Sequence, residues 1–163
     1  MGKNGHWPLV ERHTGDDMSK WRTRAFECFP GMRSEIERAQ SVADLWVELI
    51  CRVHTHYRSG LHENAAEPSD FFHGVCLYAT WCARSESHRV QDAAVVEFYQ
   101  HFPRFALECP EPVYRSILAE LVSNIGVAEV EKMGVGLKES DRERFIVNAR
   151  EADDERRRRS RKR

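Results

Sequence analysis

Long apolar runs are missing from this 163-residue chain. No stretch approaches the roughly 18 consecutive apolar residues that a membrane-spanning helix needs, so membrane insertion is not expected. Also missing are alternating apolar and polar runs closed by hairpin turns, and any repeat at a fixed spacing. Their absence argues against a β-sandwich, a barrel and a solenoid. The five cysteines, Cys28, Cys51, Cys76, Cys82 and Cys109, contain no Cys-x-x-Cys pair. An odd count behind a polar, glycine- and proline-broken Met1 to Pro8 points to free thiols, no signal peptide and a cytoplasmic setting. There is no Gly-x-Ser-x-Gly elbow, no phosphate-binding glycine loop and no Cys-x-x-Cys-His haem attachment sequence. Without an anchor for nucleophilic, phosphoryl-transfer or haem chemistry, the expectation is a non-enzymatic protein with no cofactor.

What the chain has is helical periodicity. Residues 1–17, rich in Gly, His, Asn and Asp, read as a flexible N-terminal arm, and residues 18–138 as one helical domain. Met18, Trp21, Ala25 and Cys28 or Phe29 keep helical spacing until Pro30-Gly31. Val42, Leu45, Trp46, Leu49, Ile50, Val53 and Tyr57 then line one face of a longer helix. Pro68-Ser69-Asp70 opens a helix apolar nearly all round, through Phe71, Phe72, Val75, Cys76, Tyr78, Ala79 and Cys82. A helix from about Ser87 to His101 follows, with Pro103 beyond its end. Pro110 and Pro112 start another, with Val113, Ile117, Leu118, Leu121, Val122 and Ile125 in a stripe before Gly126. A short helix over Ala128 to Met133 precedes the Gly134-Val135-Gly136 break. Ser34 with Glu37, Ser41 with Asp44 and Ser140 with Glu143 fit the capping-box pattern. Phe145, Ile146, Ala149 and Ala152 give residues 139–155 a narrow apolar seam, read as a C-terminal helix. The fold expected is all-α, an irregular bundle of about five to seven helices, with stacked α-hairpins as the alternative.

Eight histidines raise the question of a metal. His54-x-His56, His62-Glu63 and His73-x-x-Cys76 are the ligand types zinc prefers. On a helix, however, residues two apart point about 200° from each other, so His54 and His56 cannot share an ion unless the helix ends between them. No metal ligand is therefore assigned, and a metal-dependent enzyme ranks third among the functions considered. Cys109-Pro110, a dipeptide of thiolate-ligated haem sites, is read as a helix start. Glu97 and His101, four apart, are read as a structural pair rather than an acid and base. Trp46 and Trp81 are expected in the core, while Trp7 is a candidate pin for the arm.

The strongest electrostatic signal lies in residues 156–163, a basic tail. Arg156, Arg157, Arg158, Arg159, Arg161, Lys162 and Arg163 concentrate seven positive charges. The preceding 155 residues, with 18 basic and 26 acidic side chains, carry a net charge of about −8. Guanidinium groups bind phosphates bidentately, which makes these seven residues candidates for nucleic-acid binding. No aromatics interleave them, so base stacking is not indicated. Asp153 with Arg157, Asp154 with Arg158 and Glu155 with Arg159 are spaced to support helix into the arginine block.

The stretch Leu77 to Pro103, LYATWCARSESHRVQDAAVVEFYQHFP, with Ala43-Asp44-Leu45-Trp46 upstream, resembles small bacterial helical domains of unknown function, similar to immunity-like proteins of toxin systems. In that pattern a helix ending in Trp-Cys leads through a polar turn to a helix with an aromatic-rich Glu/Gln-His end. Gln100 stands where an acid is expected, and the basic tail is not part of the pattern. The resemblance implies an all-helical fold and supplies no catalytic residues. The leading expectation is thus a macromolecule-binding helical protein whose acidic body faces a basic protein partner, as in an immunity protein. The alternative is a nucleic-acid or ribosome-associated protein that binds through the arginine block.

Overall fold

The computed structural model describes residues 15–59 and 70–162, and side chains over 20–58 and 70–162. It runs α1 (Gly15–Cys28), α2 (Arg33–Arg38), α3 (Val42–Ser59), α4 (Asp70–Ala83), α5 (His88–Ala94), a π-helical segment (Val95–Gln100), α6 (Phe102–Glu108), α7 (Glu111–Ile125), α8 (Val127–Met133), a 3₁₀ turn (Gly134–Gly136) and α9 (Glu139–Ser160). No strand occurs among the described residues. Helix α4 packs on α1, α5 and α7, and α7 packs on α4, α6, α8 and α9. Contacts between elements so far apart in sequence make an irregular bundle rather than a one-dimensional stack.

Aromatic side chains hold the bundle centre. From Tyr57, ring contacts run through Phe72, Phe102, Phe98 and Trp46 to Tyr78 and Phe29, with centroids 5.4 to 5.9 Å apart. This chain of tilted, edge-on and stacked pairs ties α3, α4, α6, the π-helical segment and the end of α1 into one core. All seven residues of the expected α3 stripe are buried, with Trp46, Leu45 and Leu49 at 0% exposure. The Trp46 indole N–H meets no acceptor in hydrogen-bond geometry, although it lies near enough to the Cys82 sulfur to favour that thiolate slightly against burial.

Local signals explain where elements begin and end. The Ser41–Asp44 capping box forms as expected: the Asp44 amide donates to Ser41 Oγ at 3.1 Å, and the Ser41 amide to Asp44 Oδ2 at 3.0 Å. The other two boxes do not. Ser34 sits inside α2, where its hydroxyl donates to Glu35 while Glu37 pairs with Arg33. Ser140 follows a helix start at Glu139, whose preceding residue Lys138 makes no side-chain cap. Pro103 also differs from expectation, opening α6 instead of marking the end of a helix. Its missing N–H costs nothing in a first turn, and its fixed φ suits one. The helix expected from Ser87 to His101 is divided by the π-helical segment, which places Phe98 wholly inside. These interruptions raise the number of helical segments above the five to seven expected. Residues 15–17, expected in the arm, belong to α1. Trp7, the rest of the arm, His62-Glu63 and Arg163 lie outside the described residues.

Two glycines are required by geometry. Gly126, between α7 and α8, has φ 86° and ψ 151°, a combination reserved in practice for glycine. Gly74 lies where α4 crosses the end of α1, and a Cβ there would stand 2.7 Å from the Cys28 carbonyl oxygen and 3.2 Å from the Phe29 ring. Alanine gains about 1 kcal/mol in helix propensity over glycine, but a backbone oxygen cannot step aside. Gly74→Ala is expected to destabilise the protein by a net amount on the order of 1–3 kcal/mol, measured by denaturant unfolding.

Candidate nucleic-acid interface

Helix α9 contains 22 residues, roughly 33 Å at 1.5 Å per residue. Its first two-thirds is anchored. Phe145 and Ala149 are fully buried, Ile146 and Ala152 are half-buried, and the Asn148 amide donates to the Tyr114 hydroxyl at 3.2 Å. The exposed flank is laced to α7 and α8 by ion pairs: Arg144 to Glu111 at 2.8 Å, Arg115 to both Glu111 and Glu151, and Arg150 to Glu131. Asp153 is the last buried residue, 5% exposed, and every residue from 154 to 162 is exposed.

The arginine block thus continues a helix whose root is fixed in the core. It is not a separate tail beginning at 156, because α9 runs to Ser160 and the Arg161 amide still donates to the Arg157 carbonyl at 3.2 Å. Two effects keep it helical. Arg157, Arg158 and Arg159 sit in the last turn, where cations meet the negative end of the helix dipole. Asp153 also clamps the root, receiving Arg156 Nη2 on Oδ1 at 2.8 Å and Arg157 Nε on Oδ2 at 2.7 Å. The hydrogen bonds from Arg156, then those from Arg157, hold the Asp153 carboxyl below its ordinary value.

Six of the seven predicted residues are described, and they divide by role. Arg156 and Arg157 face back onto Asp153. Arg159 lies 3.8 Å from Glu155, a loose pair with both partners mostly exposed. The spacing-predicted Asp154–Arg158 pair does not form, in keeping with the small worth of fully solvated pairs. Arg158, Arg161 and Lys162 make no ion pair with any described residue. At 100° per residue, the four consecutive arginines at 156 to 159 cover most of the helix circumference, and Arg161 and Lys162 follow in the turn beyond Ser160. The helix end is a cationic rod with no apolar face.

The histidine and cysteine candidates do not converge. His73 is exposed and its Nδ1 meets Asn124 Oδ1, while Cys76, one turn on, is buried and its thiol is pushed up by that burial. His54 stacks on Phe105 at 3.8 Å between ring centroids, and His56 packs edge-on against Tyr57. Among the described residues no group of three or more His, Cys, Asp or Glu side chains is placed to hold a metal ion. The Cys109 thiol donates to the Phe105 carbonyl at 3.4 Å, and burial raises it, the opposite of what a thiolate ligand needs. His101 and Glu97 stand 3.9 Å apart, too far for a hydrogen bond. Trp46 lies in the core as expected, and Trp81 is half-buried against it.

Burial, reinforced by Arg58, holds His54 below its ordinary value of 6.5. The unfolded chain then binds the proton more readily than the folded one, so stability falls as pH drops through 6.5 toward the folded value. His54→Phe is expected to keep the stack on Phe105 and to flatten the change in melting temperature between pH 7.5 and 5.5. Melts of both proteins across that range check this.

No family model, curated protein or solved structure matches this chain. No described helix is long and apolar enough to cross a membrane.

Proposed function

We propose that this protein is a non-enzymatic, macromolecule-binding helical protein whose α9 end binds the phosphate backbone of nucleic acid. One observation carries the reading: a helix rooted in the core extends past its last buried residue, Asp153, with Arg158, Arg161 and Lys162 unpaired among the described residues. Cations held on a rigid helix lose less conformational entropy on binding than the same cations on a coil. A helix is about 10–12 Å across with its side chains, and the major groove of duplex DNA is about 12 Å wide. Phosphates on both walls would meet cations around the rod. The contacts envisaged are to phosphates, so binding is largely independent of sequence.

The competing reading, an acidic body facing a basic protein partner, draws on the net charge of about −8 over residues 1–155. Several of these carboxylates have local partners, which orders them without changing the net charge. Glu35 and Glu48 share Arg52, Glu111 holds Arg115 and Arg144, Glu131 holds Arg150, and Asp44 caps α3. The decisive comparison is equilibrium binding of generic duplex DNA and RNA by the full chain and by a version ending at Glu155. Binding by the full chain alone is expected. If neither form binds nucleic acid while both retain a common protein partner, the acidic-body reading replaces this one.

A further inference from the structure

A second basic feature lies away from α9. Between α1, α4, the turn after α4 and the end of α7 is an open groove of about 560 Å³, lined among others by Lys20, Arg24, Trp81, Arg84 and Asn124. Its size falls within the range of small-molecule sites. Three cations enter its lining against one carboxylate, Glu86, within a body of net negative charge. Local sequence explains the convergence: Lys20 and Arg24 are one turn apart on α1, and Arg84 follows Trp81 by three residues, in the turn just after α4 ends at Ala83. The packing of α1 on α4 then sets the two pairs side by side.

The cations differ in how they are held. Arg24 is tethered through Nη1 to Glu27 at 2.7 Å, while its Nε is buried with no acceptor. Arg84 is exposed and makes no ion pair with a described residue. Trp81, half-buried in the lining, lies nearly parallel to Tyr78, with planes 11° and ring centroids 6.1 Å apart. Thr80, Ser85 and Ser87 add hydroxyls to the lining, and the Asn124 carbonyl oxygen is engaged by His73. An indole beside Arg84 and Lys20, with Arg24 shared with Glu27 behind them, is complementary to a planar ring joined to an anionic phosphate.

We infer that this groove is a mononucleotide site, with the phosphates on Arg84, Arg24 and Lys20 and the base against Trp81. The site is independent of α9: its cations come from α1 and the turn after α4, so its failure and that of the phosphate-binding rod are separable. The test is calorimetric titration of the full chain with adenosine diphosphate, adenosine and inorganic phosphate in parallel. Adenosine diphosphate is expected to bind with Kd below about 1 mM, and each half-ligand at least tenfold more weakly. Arg84→Glu, an exposed substitution whose fold is verified by its thermal melt, is expected to weaken the nucleotide at least tenfold. Replacing Arg158, Arg159, Arg161 and Lys162 by Gln is expected to leave that affinity unchanged. Absence of nucleotide binding at 1 mM overturns the inference. So does equal binding of inorganic phosphate, which removes the base contact, or loss of binding only in the α9 variant, which moves the ligand to the rod.

Discussion

Replacing Trp46 by alanine is expected to cost about 3–5 kcal/mol, the range for truncating a large buried aromatic residue. The side chain is fully buried and bridges the two branches of the aromatic core, with Phe98 at 5.9 Å on one side and Tyr78 at 5.4 Å on the other. Its loss opens a cavity where α3, α4 and the π-helical segment meet, and those three elements cannot all collapse inward together. Domains of this size are typically stable by about 5–15 kcal/mol, so the variant is left with little reserve at 37 °C. Trp46→Phe separates packing from polarity. Because the indole N–H has no acceptor in hydrogen-bond geometry, phenylalanine gives up volume but no hydrogen bond. It should cost clearly less than alanine. Urea unfolding of the three proteins measures both differences, and equal midpoints for wild type and Trp46→Ala would show that the core is organised around other residues.

The largest effect on function is expected from replacing Arg158, Arg159, Arg161 and Lys162 together by Gln. Arg156 and Arg157 are retained because Asp153 already holds them, so the helix root should be undisturbed. If each of the four side chains neutralises one phosphate, losing all of them lowers duplex affinity on the order of a thousandfold at about 0.1 M salt. Glutamine keeps helix propensity close to that of arginine, so far-ultraviolet circular dichroism should stay the same while binding disappears. Fluorescence anisotropy with a labelled generic duplex gives the ratio. An unchanged affinity would assign the phosphate contacts to other cations, and Lys20, Arg24 and Arg84 would then be the first to examine.

Much of this architecture is legible in the sequence because the amphipathic stripes are long. The α3 and α7 stripes and the Ser41–Asp44 cap each rest on neighbours three or four residues apart, and spacing alone captures such local physics, whereas Pro68 and Ser69 of the expected α4 start lie outside the described residues. Interruptions were harder to read. Pro103 is compatible with the end of one helix or the start of the next, and what decides in favour of α6 is the burial of Phe102 and Phe105. The π-helical segment leaves no sequence signature, since an extra residue in one helical turn changes no residue type. The capping boxes at Ser34 and Ser140 failed because arginine partners, or an earlier helix start, outcompeted the cap.

The interface was partly legible. The arginine block is conspicuous in the sequence, and acid–base spacing from Asp153 onward indicated a helix running into it. The burial of Asp153, which roots the block, was not visible, because an aspartate among charged residues reads as solvated. The groove was invisible for a different reason. Lys20 and Arg84 are far apart in sequence, and only the crossing of α1 over α4 brings their pairs together.

The most direct test of the cationic rod is the salt dependence of duplex DNA binding by the full chain, plotted as log affinity against log salt concentration. Four to six phosphate contacts predict a linear fall with a slope of roughly −3.5 to −5.5, which flattens toward zero in the version ending at Glu155. A full-chain slope near zero, or one unchanged by the truncation, would contradict the account.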